Sequence, residues 1–248
     1  MENIALIKEK FSKCPEMELE AFVNTYGADE RSGVKKLVLK AEKKIEEYQK
    51  ELLRIDGMRK FEKKFSDCEY ICGVDEVGRG PLAGPVYAGA VVLPRDCIIP
   101  YVNDSKKLTA KKREEFARVI SERAVSIGLG GVDNETIDKI NILQATYEAM
   151  RRAVAALTVK PDIILVDALH IPGIDIPQES IIKGDAKSIS IAAASIIAKV
   201  ARDNYMTRMD KEYPVYNFLK NKGYGSKEHY DAINKYGICP LHRRTFVH

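Results

Sequence analysis

The sequence predicts an α/β protein: a mixed β-sheet flanked by helices, with a highly charged helical extension in front of it. Three observations carry this. Short apolar runs alternate with helical stretches from Glu69 onward, the pattern of strand–helix units around a covered sheet. The runs Ile71–Val74 and Ile163–Val166 each stop at an acid, Asp75 and Asp167. Charge density also falls sharply near 66–69. Residues 1–68 hold 15 Lys/Arg and 14 Asp/Glu, whereas the other 180 residues hold 25 and 22. The chain therefore divides into a helical N-terminal extension, 1–68, and an α/β domain, 69–248, with a basic helical region at its C-terminus.

Within the extension, Val34, Val38, Ala41, Ile45, Tyr48, Leu52 and Ile55 recur every three or four residues, the apolar stripe of an amphipathic helix. Ile4–Phe11 and Met17–Tyr26 read as shorter helices. In the second part, Tyr70–Val74 and Tyr87–Leu93 read as strands, the latter stopped by Pro94. Thr109–Ala124 is helical, with Phe116, Val119 and Ile120 on one side. Val125–Val132 is an apolar, glycine-rich strand. Asp133 or Asn134 can cap a long helix running to about Leu157. Ile163–Val166 is a buried strand, Ile181–Ile182 begins a short one, and Ser188 to about Tyr213 is an Ala/Ile-rich helix.

Several function classes are excluded or disfavoured. No apolar run approaches the roughly 18 residues needed to span a bilayer. The N-terminus lacks a basic-then-apolar leader pattern, which points to the cytoplasm. The five cysteines are odd in number and match no zinc-finger spacing, so reduced thiols are expected. A net charge of +4 permits a nucleic-acid partner without demanding one. His170 and His229 stand isolated and receive no role.

The chemistry-bearing residues are acids at strand ends. Asp75 and Glu76 follow one apolar strand, Asp167 a second, and Asp185 a third through Lys183-Gly184. Each acid alone has an ordinary explanation as a turn former or helix cap. Together, on neighbouring strands, they would converge where α/β sheets hold ligands. Clustered carboxylates resist joint ionisation unless a cation sits among them. A carboxylate-only set suits Mg²⁺ or Mn²⁺ rather than zinc. Two such ions about 4 Å apart can orient a water and stabilise a leaving oxygen in phosphodiester cleavage.

The loop after the first acids, Gly78-Arg79-Gly80-Pro81-Leu82-Ala83-Gly84-Pro85, suits close approach of a ligand to backbone amides. It is not a dinucleotide fingerprint, because Pro81 breaks the spacing and a strand follows instead of a helix.

Gly73-Val74-Asp75-Glu76-Val77-Gly78-Arg79-Gly80-Pro81-Leu82-Ala83-Gly84-Pro85-Val86 resembles the N-terminal signature of ribonuclease HII. Asn103-Asp104-Ser105-Lys106-Lys107-Leu108 resembles that family's second motif and Asp167-Ala168-Leu169 its third. Lys183-Gly184-Asp185 followed by Ile191–Asp203 resembles its fourth, and Gly223-Tyr224-Gly225-Ser226 with His242–Phe246 its C-terminal elements. The likeness runs over about 69–248. It implies a ribonuclease H-like fold and cleavage of RNA in RNA–DNA hybrids, with incision 5′ to single ribonucleotides in duplex DNA. It assigns Asp75, Glu76, Asp167 and Asp185 to catalysis and to a divalent metal, Mn²⁺ or Mg²⁺. It assigns Gly78, Arg79 and Gly80 to the ribose 2′-hydroxyl and Tyr224 to stacking on the neighbouring sugar. Asn103, Ser105, Lys106 and Lys183 are further expected substrate contacts. A sister family, ribonuclease HIII, typically carries Glu at the fourth acidic position, so Asp185 and the Arg-Gly-Pro loop favour HII.

The basic residues would supply the duplex contacts, although such runs taken alone are more often a solvated face. Lys106, Lys107, Lys111, Lys112 and Arg113 cluster at a helix start, and from Lys199 onward there are 10 Lys/Arg against 5 acids. Such runs supply phosphate contacts. A binding module without catalysis would need no divalent ion, and a small-molecule phosphotransferase would need a closed pocket instead of a groove. A monomer is the expected state.

Overall fold

In a computed structural model, residues 2–247 are described. They form two compact units, Met1–Gly57 and Met58–His248. The first is helical. Helix α1 (Ile4–Lys13) is capped by Asn3, whose side chain accepts from the Ala5 amide. It is followed by α2 (Leu19–Tyr26) and the long α3 (Ser32–Met58). Ile7, Leu19, Phe22, Val34, Leu37, Val38 and Ala41 make its core, with Ile45 packed against it, so the stripe read from the sequence is buried here over its first half, Val34 to Ile45.

The second unit opens with α4 (Lys60–Lys64) and continues as β1 (Ile71–Val77), β2 (Val86–Val92), α5 (Ala110–Arg123), β3 (Ser126–Val132) and α6 (Asn134–Ala155). Then come β4 (Ile163–Asp167), β5 (Gln178–Ile181), α7 (Ile189–Glu212), α8 (Phe218–Asn221) and α9 (Lys227–Tyr236). The five strands form one mixed sheet in the order β3-β2-β1-β4-β5. β1 is antiparallel to β2 and parallel to β4, and β4 is parallel to β5.

Period-two alternation along each strand separates the two faces. Cys72, Val74, Ile164 and Val166 join Ala145, Ala149 and Ala153 of α6 in the main core. Ile71, Ile163 and Leu165 point the other way, toward Ile191 of α7. Asp75 and Asp167 continue this second set. Helix α7 lies unusually close to the sheet because glycine makes room. A Cβ on Gly73 would stand 2.1 Å from the Ser190 carbonyl carbon.

Three elements differ from the sequence reading. The first strand, read as ending at Val74, runs on to Val77, so Asp75 and Glu76 lie within it and pair with β2. The last strand is Gln178–Ile181, not a strand beginning at Ile181–Ile182. β5 is an edge strand, where one side meets solvent and polar residues are accepted. Ile182 lies outside it, exposed. The helix expected to run unbroken to about Leu157 is kinked at Asn141, which has φ 67°. The Asn141 side chain accepts from the amides of Leu143 and Gln144 and so recaps the second segment.

The five cysteines are free thiols. Among the described residues no helix is long and apolar enough to cross a membrane.

Candidate active site

The register of β1 on β4 brings the acids together. Val74 pairs with Val166, and one residue further along each strand stand Asp75 and Asp167. Asp185 lies on the turn after β5, tied to this pair by the Gly184 amide, which donates to Asp167 Oδ1 at 2.7 Å. These three strands are consecutive in the sheet. The sequence-predicted acids therefore share one sheet end.

Their electrostatics are those of crowded carboxylates. Burial, with Glu76 and Asp167 nearby, holds Asp75 well above its ordinary value, against the Ser195 hydroxyl that hydrogen-bonds it. Burial likewise raises Glu76, opposed by the Arg79 guanidinium 3.6 Å away and reinforced by Asp167. Burial and the charges of Asp104 and Asp167 raise Asp185. Partial desolvation opposes the Lys106 ammonium, yet Asp75, Asp104, Asp185 and Asp167 together keep it above the usual lysine value.

Glu76 Oε2 is buried and has no hydrogen-bond partner. An orphaned carboxylate oxygen among proton-seeking acids is costly unless positive charge completes the site. The donors are all carboxylate oxygens, so the set fits a hard divalent cation such as Mg²⁺ or Mn²⁺. Among the described residues no group of three or more His, Cys, Asp or Glu side chains is placed so that it could hold a metal ion.

The other sequence-predicted residues surround this cluster. Ser105 is buried and shares a 2.9 Å hydrogen bond with Ser195, on the α7 face beside Asp75. Asn103 Oδ1 accepts from the Asp104 amide, and Lys106 is exposed. Lys183, also exposed, adopts a left-handed conformation (φ 59°) that turns the chain into Gly184-Asp185. Arg79 and Gly80 are exposed, while Gly78 is buried. Tyr224 is 42% exposed, with the Arg202 guanidinium 5.7 Å from its ring centroid. The segment before it is joined to the glycine loop: Leu82 and Ala83 both donate to the Gly223 carbonyl.

A family model described as "Ribonuclease HII" matches residues 72–248, and one described as "Ribonuclease HII N-terminal domain" matches residues 3–66. The chain belongs to the ribonuclease HII family. It is 54% identical over 222 residues to "Ribonuclease HII" of Lachnoclostridium phytofermentans, covering 90% of this chain and 87% of the relative. It is 50% identical over 247 residues to "Ribonuclease HII" of Clostridioides difficile, covering 99% and 97%. The solved ribonuclease H2 from Pyrococcus horikoshii OT3 superposes with a TM-score of 0.59 at 29% identity, over 71% of this chain and 93% of that one. The mixed sheet with flanking helices is thus the ribonuclease H-like fold, and the chain is a hydrolase, an endonuclease of the ribonuclease H type.

Sequence reasoning missed several residues of this ribonuclease HII site. Asp104 faces Asp185 and raises it; its place inside the Asn103–Leu108 motif was the available signal. The basic runs also shrink. Arg113 pairs with Asp203 and donates to the carbonyls of Ser105 and Leu108, and Lys199 pairs with the same Asp203. Arg202 and Arg243 are fully buried. None of these four is free for phosphate.

His229 is not isolated either. Its Nε2 lies 3.0 Å from His242 Nε2, and its Nδ1 meets the Tyr224 carbonyl at 2.9 Å. His242 Nδ1 accepts from the Cys239 amide. Only a neutral pair satisfies all three contacts, with His242 Nε2–H donating to His229. Burial lowers both histidines, His242 to about 4 from 6.5. Bases depressed in the folded state bind protons more readily when unfolded. Their stabilisation is complete above about pH 6.5 and is lost as pH falls toward 4. His229→Asn keeps a donor for the Tyr224 carbonyl but cannot titrate. We expect it to lose less stability than the parent between about pH 7 and about pH 5, read by urea denaturation.

Proposed function

We propose that this ribonuclease H-type endonuclease, a hydrolase of RNA–DNA hybrids, also incises duplex DNA 5′ to single embedded ribonucleotides, leaving 3′-hydroxyl and 5′-phosphate ends. One observation carries the reading: clustered acids short of positive charge, the buried Asp75 and the buried, unpartnered Glu76 Oε2 among them, adjoin a glycine loop suited to reading a sugar. Asp75, Glu76, Asp167 and Asp185 would hold the divalent ions, Mn²⁺ or Mg²⁺. When bound, such ions supply the charge that orients the attacking water and stabilises the leaving oxygen.

The chain's own residues do the rest. Only the 2′-hydroxyl separates RNA from DNA at one step, and the Gly78-Arg79-Gly80 backbone would hydrogen-bond it beside the acids. Tyr224 stacks on the adjacent sugar. Asn103, Ser105, Lys106 and Lys183 contact the cleaved strand. The exposed cations track the duplex phosphates, so cleavage efficiency declines with added salt. The enzyme acts as a monomer in the cytoplasm, in ribonucleotide removal and RNA primer removal.

The test is a DNA duplex carrying one ribonucleotide, incubated with Mn²⁺, with both product ends mapped. A single cut on the 5′ side of the ribonucleotide, with 3′-hydroxyl and 5′-phosphate ends, is expected. An uncut duplex, alongside cutting of a duplex with consecutive ribonucleotides, would instead place the chain with ribonuclease HIII-like specificity.

A further inference from the structure

The loop that would read the ribose is held from below by a cation with no carboxylate partner among the described residues. Arg243 is 0% exposed. Its NH2 donates to the Gly78 carbonyl at 2.6 Å and its NH1 to the Arg79 carbonyl at 2.9 Å. Its Nε and NH2 both donate to the Gly84 carbonyl, at 2.9 and 2.8 Å. A neighbouring buried cation, Arg202, donates to the carbonyls of Ala83, Pro85 and Lys222. The two guanidiniums thus collect the carbonyls at both ends of the turn.

This fixes more than the loop's position. In a trans peptide the carbonyl and the following N–H point in opposite directions. Drawing the Gly78 carbonyl inward turns the Arg79 N–H outward, and drawing in the Arg79 carbonyl does the same for the Gly80 N–H. Neither amide has an intramolecular partner among the described residues. Gly78 itself sits at φ 92°, and a Cβ there would meet Arg202 Nε at 2.3 Å, so glycine is required for the turn to lie on the guanidiniums. Rigid donors pointing at a sugar discriminate because their orientation is settled before binding.

We propose that Arg243 is a specificity-determining positioning residue: by holding the carbonyls of Gly78 and Arg79 it aims the Arg79 and Gly80 amides at the sugar and so sets the preference for ribose over deoxyribose. The inference rests on the reading of this loop given under Proposed function. Phe246 braces Arg243 from the far side, its ring centroid 5.0 Å from the guanidinium carbon.

The experiment measures Kd for two duplexes that differ only by one ribose or deoxyribose, in EDTA, with a gel control that both strands stay intact. The readout is the ratio of the two constants. Arg243→Lys keeps the charge but loses the planar fork. We expect its ratio to collapse toward one, a loss of up to about tenfold for one or two misaimed hydrogen bonds, with the all-deoxy Kd unchanged. Phe246→Leu, a milder disturbance, should move the ratio the same way and serves if Arg243→Lys does not fold. An unchanged ratio, or equal weakening of both duplexes, overturns the proposal. Gly80→Ala separates the two levels of the argument, since a Cβ there meets nothing within 4 Å and the variant should fold. If it lowers the ratio while the Arg243 and Phe246 variants do not, only the role of Arg243 falls. If all three keep the parent ratio, the loop is not the ribose reader.

Discussion

Asp75→Asn is expected to cut turnover by more than about a thousandfold, the equivalent of several kcal/mol of lost charge stabilisation, and at the same time to make the metal-free protein more heat-stable. The two effects have one cause. Asp75 is buried and held well above its ordinary pKa by burial and by Glu76. An acid raised in the folded state contributes stability below its unfolded value, 3.8 here, and loses it as pH rises through the folded value. At neutral pH without a cation, the crowded carboxylates therefore repel. Asparagine removes one charge and keeps the acceptor that Glu76 N–H uses, Asp75 Oδ1 at 2.8 Å. Thermal melts in EDTA should show a rise of about 2–4 °C for each kcal/mol of repulsion removed. Added Mn²⁺ should raise the melting temperature of the parent and do so much less for the variant. Near-normal turnover by Asp75→Asn, or an identical Mn²⁺ response, would refute the assignment of the cluster to metal binding.

Gly73→Ala should be one of the most damaging single-methyl changes in the sheet. The added Cβ would stand 2.1 Å from the Ser190 carbonyl carbon and 2.4 Å from the Ile191 amide nitrogen. Both are backbone atoms, so no side chain can swing aside. Either β1 or the start of α7 has to move. Overpacking of this kind costs about 3 kcal/mol or more, or roughly 6–12 °C in melting temperature for a domain of this size. Urea denaturation provides the check. Whatever activity survives should also fall, because Asp75 lies two residues along the displaced strand and Ser195 lies on the displaced helix. A stability within about 0.5 kcal/mol of the parent would mean that the sheet and helix are less tightly apposed than described.

Much of this architecture is legible in the sequence because its strands are buried on both faces and read as unbroken apolar runs. That is why Ile71–Val74 and Ile163–Val166 announce themselves and why the acids that end them stand out. β5 is obscured for the opposite reason: Gln178, Glu179 and Ser180 serve an edge, where no apolar pattern is needed. Asn141 hides a helix break because asparagine is unremarkable in a helical sequence until its φ is known. The two carbonyl-binding arginines are illegible for a deeper reason. Their partners lie far along the chain, 165 positions apart for Arg243 and Gly78, and those partners are backbone atoms that every residue possesses. Pattern reading counts side chains, so Arg202 and Arg243 pass for members of a basic surface.

That distinction separates two responses to ionic strength. Counter-ions gather where charges face water, and they weaken attraction between exposed lysines and a polyanion. The guanidiniums of Arg202 and Arg243 are solvated by peptide oxygens in a dry interior, beyond the reach of dissolved salt. A rising concentration of potassium chloride should therefore loosen the protein's hold on its duplex while leaving the shape of the ribose-facing turn intact, so that grip fades before discrimination does.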